Sequence, residues 1–119
     1  MSLCILSAGE AATLVATLFT LSWTHSVEKV EWQETWRVTQ EGLQIIEARV
    51  KGSGAGMEPP PDARFEDGWW VYVPPLEPRP ELHLAASGAT GSSWQLCANG
   101  ECSELGSEAG KPVVLKPCP

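Results

Sequence analysis

Residues 17–26 read Thr-Leu-Phe-Thr-Leu-Ser-Trp-Thr-His-Ser. Large side chains alternate here with hydroxyl-bearing ones: one face carries Phe19, Leu21, Trp23 and His25, and the other carries Thr20, Ser22, Thr24 and Ser26. A period of two is typical of a half-buried β-strand, so we predict a strand over 13–26. The apolar stretch at 11–23 has no preceding Lys or Arg, is too short to span a bilayer and contains several hydroxyls. We therefore expect neither a signal peptide nor a transmembrane segment there.

The rest of the chain has the same character. Ten Pro and eleven Gly among 119 residues favour turns and short strands over helices. Runs of strand character are found at 2–7, 30–38, 43–51, 69–73, 81–86 and 112–116. The pattern predicts an all-β fold, a single small antiparallel β-sandwich or barrel of about eight short strands, and one domain over residues 1–119.

The segment from Cys97 to Cys102 predicts one hairpin in detail. Asn99-Gly100 favours a type I′ turn, because both positions tolerate a positive φ angle. A two-residue loop places Cys97 opposite Cys102 at a separation that a disulfide accepts. The alternative is half of a zinc site, for which no further ligand is evident nearby. We expect the disulfide, and leave the presence of a metal unknown.

Cys4 and Cys118 could form a second disulfide that ties the two ends together, or remain two buried thiols. Disulfides form in oxidising compartments. We therefore expect a periplasmic or otherwise extracytoplasmic location, although the absence of a recognisable export signal leaves the cytoplasm open.

The formal net charge of −7 disfavours nucleic-acid binding, because phosphate contacts need a basic surface. It disfavours anionic membranes for the same reason. A cationic partner, a metal ion or simple solubility are all compatible with this charge.

A first candidate ligand-binding cluster comprises His25, Ser26, Glu28 and Glu34. Imidazole and carboxylates close together could bind a metal or a cation, or a core-edge histidine could simply be hydrogen-bonded. Glu34 falls on the same strand face as Trp32 and Trp36, where a carboxylate needs a partner. That partner could be a basic residue such as Arg49 or Arg64, backbone N–H groups or a ligand. Ser26 and His25 point to opposite faces and do not form a nucleophile–base pair.

A second candidate is the loop that contains Gly54, Gly56, Met57 and Glu58. Alternating glycines can present a nest of N–H groups to an anion, or allow a tight bend packed against the sheet. The loop is neither a Walker-type loop nor a dinucleotide fingerprint, since the required residues do not follow it. We predict that this loop and the His25 segment lie side by side.

Five segments give the sequence a family resemblance: Trp23–Lys29, Glu31–Trp36, Gly52–Pro60, Asp67–Trp70, and Trp94 to Leu105 with its two cysteines. In order and spacing they resemble domain of unknown function 1850, a bacterial and archaeal family, over nearly the whole chain. Members of that family commonly accompany, or are fused to, TRAP transporters of the TAXI type, which import organic anions.

The resemblance implies an accessory or ligand-binding module for such a transporter, with the transporter subunits and a small organic anion or cation as partners. It attaches no catalytic role to any residue, and we expect neither an enzyme nor a cofactor. Two alternatives remain. One is a small metal-dependent hydrolase that uses His25 and a glutamate, and the other is an interaction domain that docks on a permease through exposed Trp69 or Trp70.

Overall fold

A computed structural model describes residues 1–7, 9–24, 31–52, 61–86, 93–106 and 110–118. These residues form eleven β-strands and no α-helix, and within them no helix long and apolar enough to cross a membrane is present. The strands are β1 (Ser2–Ser7), β2 (Glu10–Val15), β3 (Leu18–Thr24), β4 (Glu31–Thr39), β5 (Gly42–Lys51), β6 (Arg64–Glu66), β7 (Trp69–Tyr72), β8 (Leu82–Leu84), β9 (Trp94–Ala98), β10 (Glu101–Leu105) and β11 (Val113–Cys118).

The strands build two antiparallel sheets. The smaller sheet has the order β2-β1-β11-β8, and the larger has the order β10-β9-β3-β4-β5-β7-β6. Buried residues of both sheets belong to one hydrophobic core, including Leu3 and Leu115 from the smaller sheet and Phe19, Leu21 and Leu43 from the larger. The predicted all-β sandwich is confirmed, with eleven strands instead of about eight.

The single strand predicted over 13–26 is wrong, because the chain changes sheets near Ala16. Strand β2 belongs to the smaller sheet and β3 to the larger. Leu14 and Ala16 point inward at even positions, whereas Phe19 and Leu21 point inward at odd positions. The alternation therefore resets by one residue between the two strands, as expected where a chain bends from one sheet into the other. Strand β6 is the other strand that the sequence did not predict; it has only three residues, and all three are exposed.

A β-bulge in β5 keeps the apolar side chains on both halves of this long strand pointing into the core. Thr35 pairs with Glu47 and Trp36 pairs with Ile45, so Ile46 is the extra residue. The extra residue lets Ile45 and Ala48 both point into the core, where each is 3% exposed.

Gly42 is required where β5 begins. Its φ angle is +133°, and a β-carbon at this position would collide with the carbonyl oxygen of Arg79. That close approach is fixed by two backbone hydrogen bonds: the Leu43 N–H donates to Arg79 O over 2.7 Å, and the Arg79 N–H donates to Leu43 O over 2.9 Å. A glycine permits both the backbone angle and the contact.

The predicted Cys97–Cys102 disulfide is present, and a second disulfide joins Cys4 and Cys118. Cys97 lies directly opposite Cys102, with Cα atoms 4.1 Å apart, and Asn99 and Gly100 have φ angles of 54° and 80°. These angles confirm the predicted type I′ hairpin. Cys4 and Cys118 bond across the β1–β11 pair with Cα atoms 5.8 Å apart, so the pairing that the sequence left open is formed.

Candidate functional site

One row of large apolar side chains crosses six strands of the larger sheet on its core-facing side. Cross-strand pairing links Trp23 to Trp32, Trp32 to Val50, Val50 to Trp70 and Trp70 to Phe65. Trp94 of β9 packs against Trp23 and begins the row. We call these six residues the aromatic row.

The rings of the aromatic row contact one another closely. Trp23 and Trp32 are stacked, with ring centroids 5.8 Å apart and planes at 12°. Trp23 and Trp94 have centroids 4.7 Å apart, and Phe65 meets Trp70 edge-on at 5.0 Å. Such geometries stabilise aromatic pairs beyond the effect of burial alone. The indole N–H of Trp94 also donates to the carbonyl oxygen of Ala85 over 3.0 Å, which fixes this ring.

The aromatic row lies at one end of the sandwich and is incompletely covered. Trp23, Trp32, Trp70 and Trp94 are half-buried, and Phe65 is 57% exposed. The row occupies the end of the sheet where β3 finishes and β4 begins. Large aromatic side chains that retain solvent contact are a common feature of binding surfaces.

Glu34 lies one residue pair further into the sandwich, on the same side of the sheet. Leu21 and Ala48 are its direct cross-strand neighbours, and Tyr72 is the neighbour of Ala48 on the next strand. Glu34 and Tyr72 therefore flank the small Ala48 side chain on the core-facing side of the sheet. The indole N–H of Trp36 donates to Oε1 of Glu34 over 3.0 Å.

Burial shapes the electrostatics of this carboxyl group. Desolvation raises the pKa of Glu34 above its usual range, and the hydrogen bond from Trp36 offsets part of that rise. Burial also raises the pKa of Tyr72, and the nearby Glu34 charge raises it further. The pair therefore favours a neutral phenol beside a carboxyl group that takes up a proton more readily than an exposed one.

The basic partners predicted for Glu34 are not its partners. Arg49 is next to Ala48 in β5, so its side chain points to the opposite face of the larger sheet from Glu34. Arg64 is on that opposite face too, because both arginines pair with Val71. The Arg49 guanidinium lies 4.6 Å from the ring centroid of Trp69, and Arg64 approaches Glu66 to 3.5 Å at an exposed site. The observed partner of Glu34 is an indole N–H, which was not among the predicted groups.

Of the eight predicted ligand-binding residues, only Glu34 is described by the structure. The other seven lie outside the described residues: His25, Ser26, Glu28, Gly54, Gly56, Met57 and Glu58. Thr24 and Glu31, which flank residues 25–30, pair with each other. Lys51, close to residues 53–60, lies at the same end of the sheet. That His25 and Gly56 lie side by side stays a prediction.

Two further expectations concern metals and exposed tryptophans. In the described parts of the chain, no three His, Cys, Asp or Glu side chains come together as a metal site. Trp69 and Trp70 are half-buried instead of exposed. Trp69 is covered by Arg49 and by Lys51, whose Nζ lies 4.7 Å from its ring centroid, and Trp70 is covered by Phe65.

Comparison with known proteins identifies a family. The sequence matches the family described as Domain of unknown function (DUF1850) over residues 19–105. Because this match spans more than half of the chain, the chain belongs to that family. No curated protein and no solved structure matches it. The matched range includes every member of the aromatic row together with Glu34, Trp36 and Tyr72.

Proposed function

We propose that this member of the DUF1850 family is a non-catalytic accessory module that acts outside the cytoplasm beside an organic-anion transporter of the TAXI-type TRAP class. The single observation that carries the binding role is the aromatic row, which is left partly open at one end of the sandwich. The transporter context is supported by the sequence resemblance to proteins that accompany such systems.

The two disulfides support the proposed location. The four cysteines of the chain form the pairs Cys4–Cys118 and Cys97–Cys102. Fully paired cysteines are characteristic of proteins in oxidising compartments and rare in the cytosol. A periplasmic or extracellular module beside a membrane transporter would keep both bonds.

The aromatic row supports a contact with a protein partner. Trp and Phe are enriched at the centres of protein interfaces, where a few such residues carry most of the binding energy. Here the cross-strand pairing holds the rings on a rigid sheet, so little side-chain freedom is lost when a partner binds. In this proposal the exposed Phe65 and the half-buried Trp32 contact a transporter subunit, and Glu34 lies just behind them as an acceptor for a donor group of the partner.

The test is binding of the purified protein to the TAXI solute-binding protein and to the detergent-solubilised permease from the same organism. Isothermal titration calorimetry should detect a complex with one of them. The variants Phe65→Ala and Trp32→Ala should weaken it about tenfold, as expected for truncation of an interface aromatic. Leu18→Ala is the matched control, because Leu18 is 47% exposed at the opposite end of β3 and should not alter binding.

Two results would contradict the proposal. One is that neither subunit binds the wild-type protein at concentrations where the folded state is confirmed by circular dichroism. The other is that Leu18→Ala and Phe65→Ala weaken binding equally, which would show that the aromatic row is not the binding surface.

A further inference from the structure

A polar pocket of about 430 Å³ lies mainly on the outer face of the larger sheet, the face turned away from the core. Strands β3, β4, β9 and β10 contribute to it. Six of its lining residues are Ser22, Thr24, Glu31, Ser93, Gln95 and Glu104. The volume falls in the range of pockets that hold small molecules.

The pairing of the strands explains the shape of this pocket. Gln95 pairs with Ser22 on one side and with Glu104 on the other, and Thr24 pairs with Glu31. Short hydroxyl side chains therefore form the floor. The two glutamates form opposite rims: β10 and β4 are three strand spacings apart, and Glu31 lies two residues further along the sheet than Glu104, which together give about 16 Å.

The charge of the lining selects the kind of ligand. Two carboxylates, an amide and several hydroxyls line the pocket, and no Lys or Arg is among the described lining residues. Ser93 Oγ donates to Oε1 of Glu104 over 2.7 Å, which orients that carboxylate at the rim. An anionic ligand would meet two like charges, whereas a cation would meet complementary charges in a chain whose net charge is −7.

We propose that this pocket binds a small linear organic dication with an ammonium group at each end. One ammonium pairs with Glu104 and the other with Glu31, since each carries three N–H donors and each carboxylate accepts several. The alkyl chain between them lies over Ser22 and Thr24, whose side chains point to the outer face. This site is on the other side of the sheet from the open face of the aromatic row, and it does not depend on the proposed transporter role.

The probe is 1,7-diaminoheptane, titrated into uniformly ¹³C,¹⁵N-labelled protein at constant ionic strength; its extended nitrogen–nitrogen distance of about 10 Å plus two hydrogen bonds of about 2.8 Å matches the span between the glutamates. The backbone amide signals of Ser22, Thr24 and Gln95 should move saturably, because these residues line the pocket. Glu104→Gln and Glu31→Gln should each weaken binding about fivefold, equivalent to about 1 kcal/mol. Triple-resonance spectra of the labelled protein assign these three signals.

Glu101→Gln is the matched control. Glu101 is on the same strand as Glu104 and is exposed, but it does not line the pocket, and its replacement changes the net charge equally. This variant should bind the diamine as the wild-type protein does. Heptylamine, with one ammonium group, should bind about fivefold more weakly than the diamine.

Three results would overturn the proposal. The first is that none of the three amide signals moves saturably up to about 10 mM diamine, because a specific site would be largely occupied at that concentration. The second is an equal loss of affinity in Glu101→Gln and Glu104→Gln, which would indicate diffuse attraction to an acidic protein. The third is binding of succinate or heptylamine as tight as that of the diamine.

Discussion

The indole N–H of Trp36 donates to the carboxylate of Glu34, two residues earlier on the same face of β4, over 3.0 Å. Trp36 is 4% exposed, so its N–H has no access to bulk solvent and needs an acceptor. Glu34 provides that acceptor but is itself partly desolvated, and this raises its pKa. The pair therefore satisfies one buried donor at the cost of holding a carboxylate in a poorly hydrated place.

We expect Glu34→Gln to be at least as stable as the wild-type protein at pH 7. The glutamine keeps an oxygen acceptor for Trp36 and removes the partly desolvated charge. The folded-state pKa of Glu34 is raised above its ordinary value of 4.5. The folded state therefore holds the Glu34 proton more tightly than the unfolded state does. The contribution of this proton to the stability of the wild-type protein is full below about pH 4.5 and is lost as the pH rises through the folded-state pKa.

Urea denaturation at pH 4 and pH 7 measures this difference. The stability of Glu34→Gln relative to wild type should be higher at pH 7 than at pH 4. Glu34→Leu removes the acceptor as well and should be about 1 kcal/mol less stable than Glu34→Gln, owing to the unpaired Trp36 N–H. A relative stability of Glu34→Gln that falls with rising pH would contradict the raised pKa.

Gly42→Ala should destabilise the protein by about 2–4 kcal/mol, because it adds strain at a positive φ angle and a collision with Arg79. Gly110→Ala is the matched control, since an added β-carbon there meets nothing within 4 Å. Thermal and urea denaturation of both variants gives the comparison. Equal stability of the two would show that the β5 start tolerates a side chain.

Loss of the two disulfides should have unequal effects. The sequence separation is 114 residues for Cys4–Cys118 and 5 for Cys97–Cys102. In the loop-entropy description, their removal costs about 5 and about 2 kcal/mol respectively. The pairs Cys4→Ala/Cys118→Ala and Cys97→Ala/Cys102→Ala test this by urea denaturation. A larger loss from the hairpin pair would mean that local strain or packing outweighs chain entropy.

Asn99 has two separable roles. Its φ angle of 54° suits the turn, and its Nδ2 donates to the carbonyl oxygen of Val15 over 2.8 Å. Asn99→Gly keeps the turn and loses the hydrogen bond, so we expect a cost of about 1 kcal/mol. Asn99→Ala loses both, and should cost about 1 kcal/mol more because alanine is unfavourable at this angle. An equal loss of stability in Asn99→Gly and Asn99→Ala would show that the backbone angle at Asn99 does not contribute to stability.

Local signals in the sequence predicted the local parts of the fold. Asn99-Gly100 defined its hairpin down to the residue pairs, because turn type and register are linked over a few residues. Asp67-Gly68, with φ angles of 49° and 86°, is the same kind of signal between β6 and β7, and it could have revealed β6. The change of sheet near Ala16 was beyond such reasoning, since both halves of that segment alternate and only the phase differs.

The candidate site shows the same division between local and long-range information. The alternation placed Glu34, Trp32 and Trp36 on one face, as the structure confirms. The neighbours of Glu34 on other strands, Tyr72 above all, depend on the β4–β5 register, which the bulge at Ile46 shifts by one residue. No pattern within a single strand encodes that shift, so the wrong arginines were expected to face Glu34.

The Cys4–Cys118 bond gives the sandwich an unusual response to mechanical load. A force applied through both ends of the chain reaches residues 4 and 118 first, and these are joined covalently. Tension would then pass through that bond and bypass the 113 residues between its two cysteines. A module tethered at both ends could therefore be pulled without shearing its strands, until a reductant opened the link.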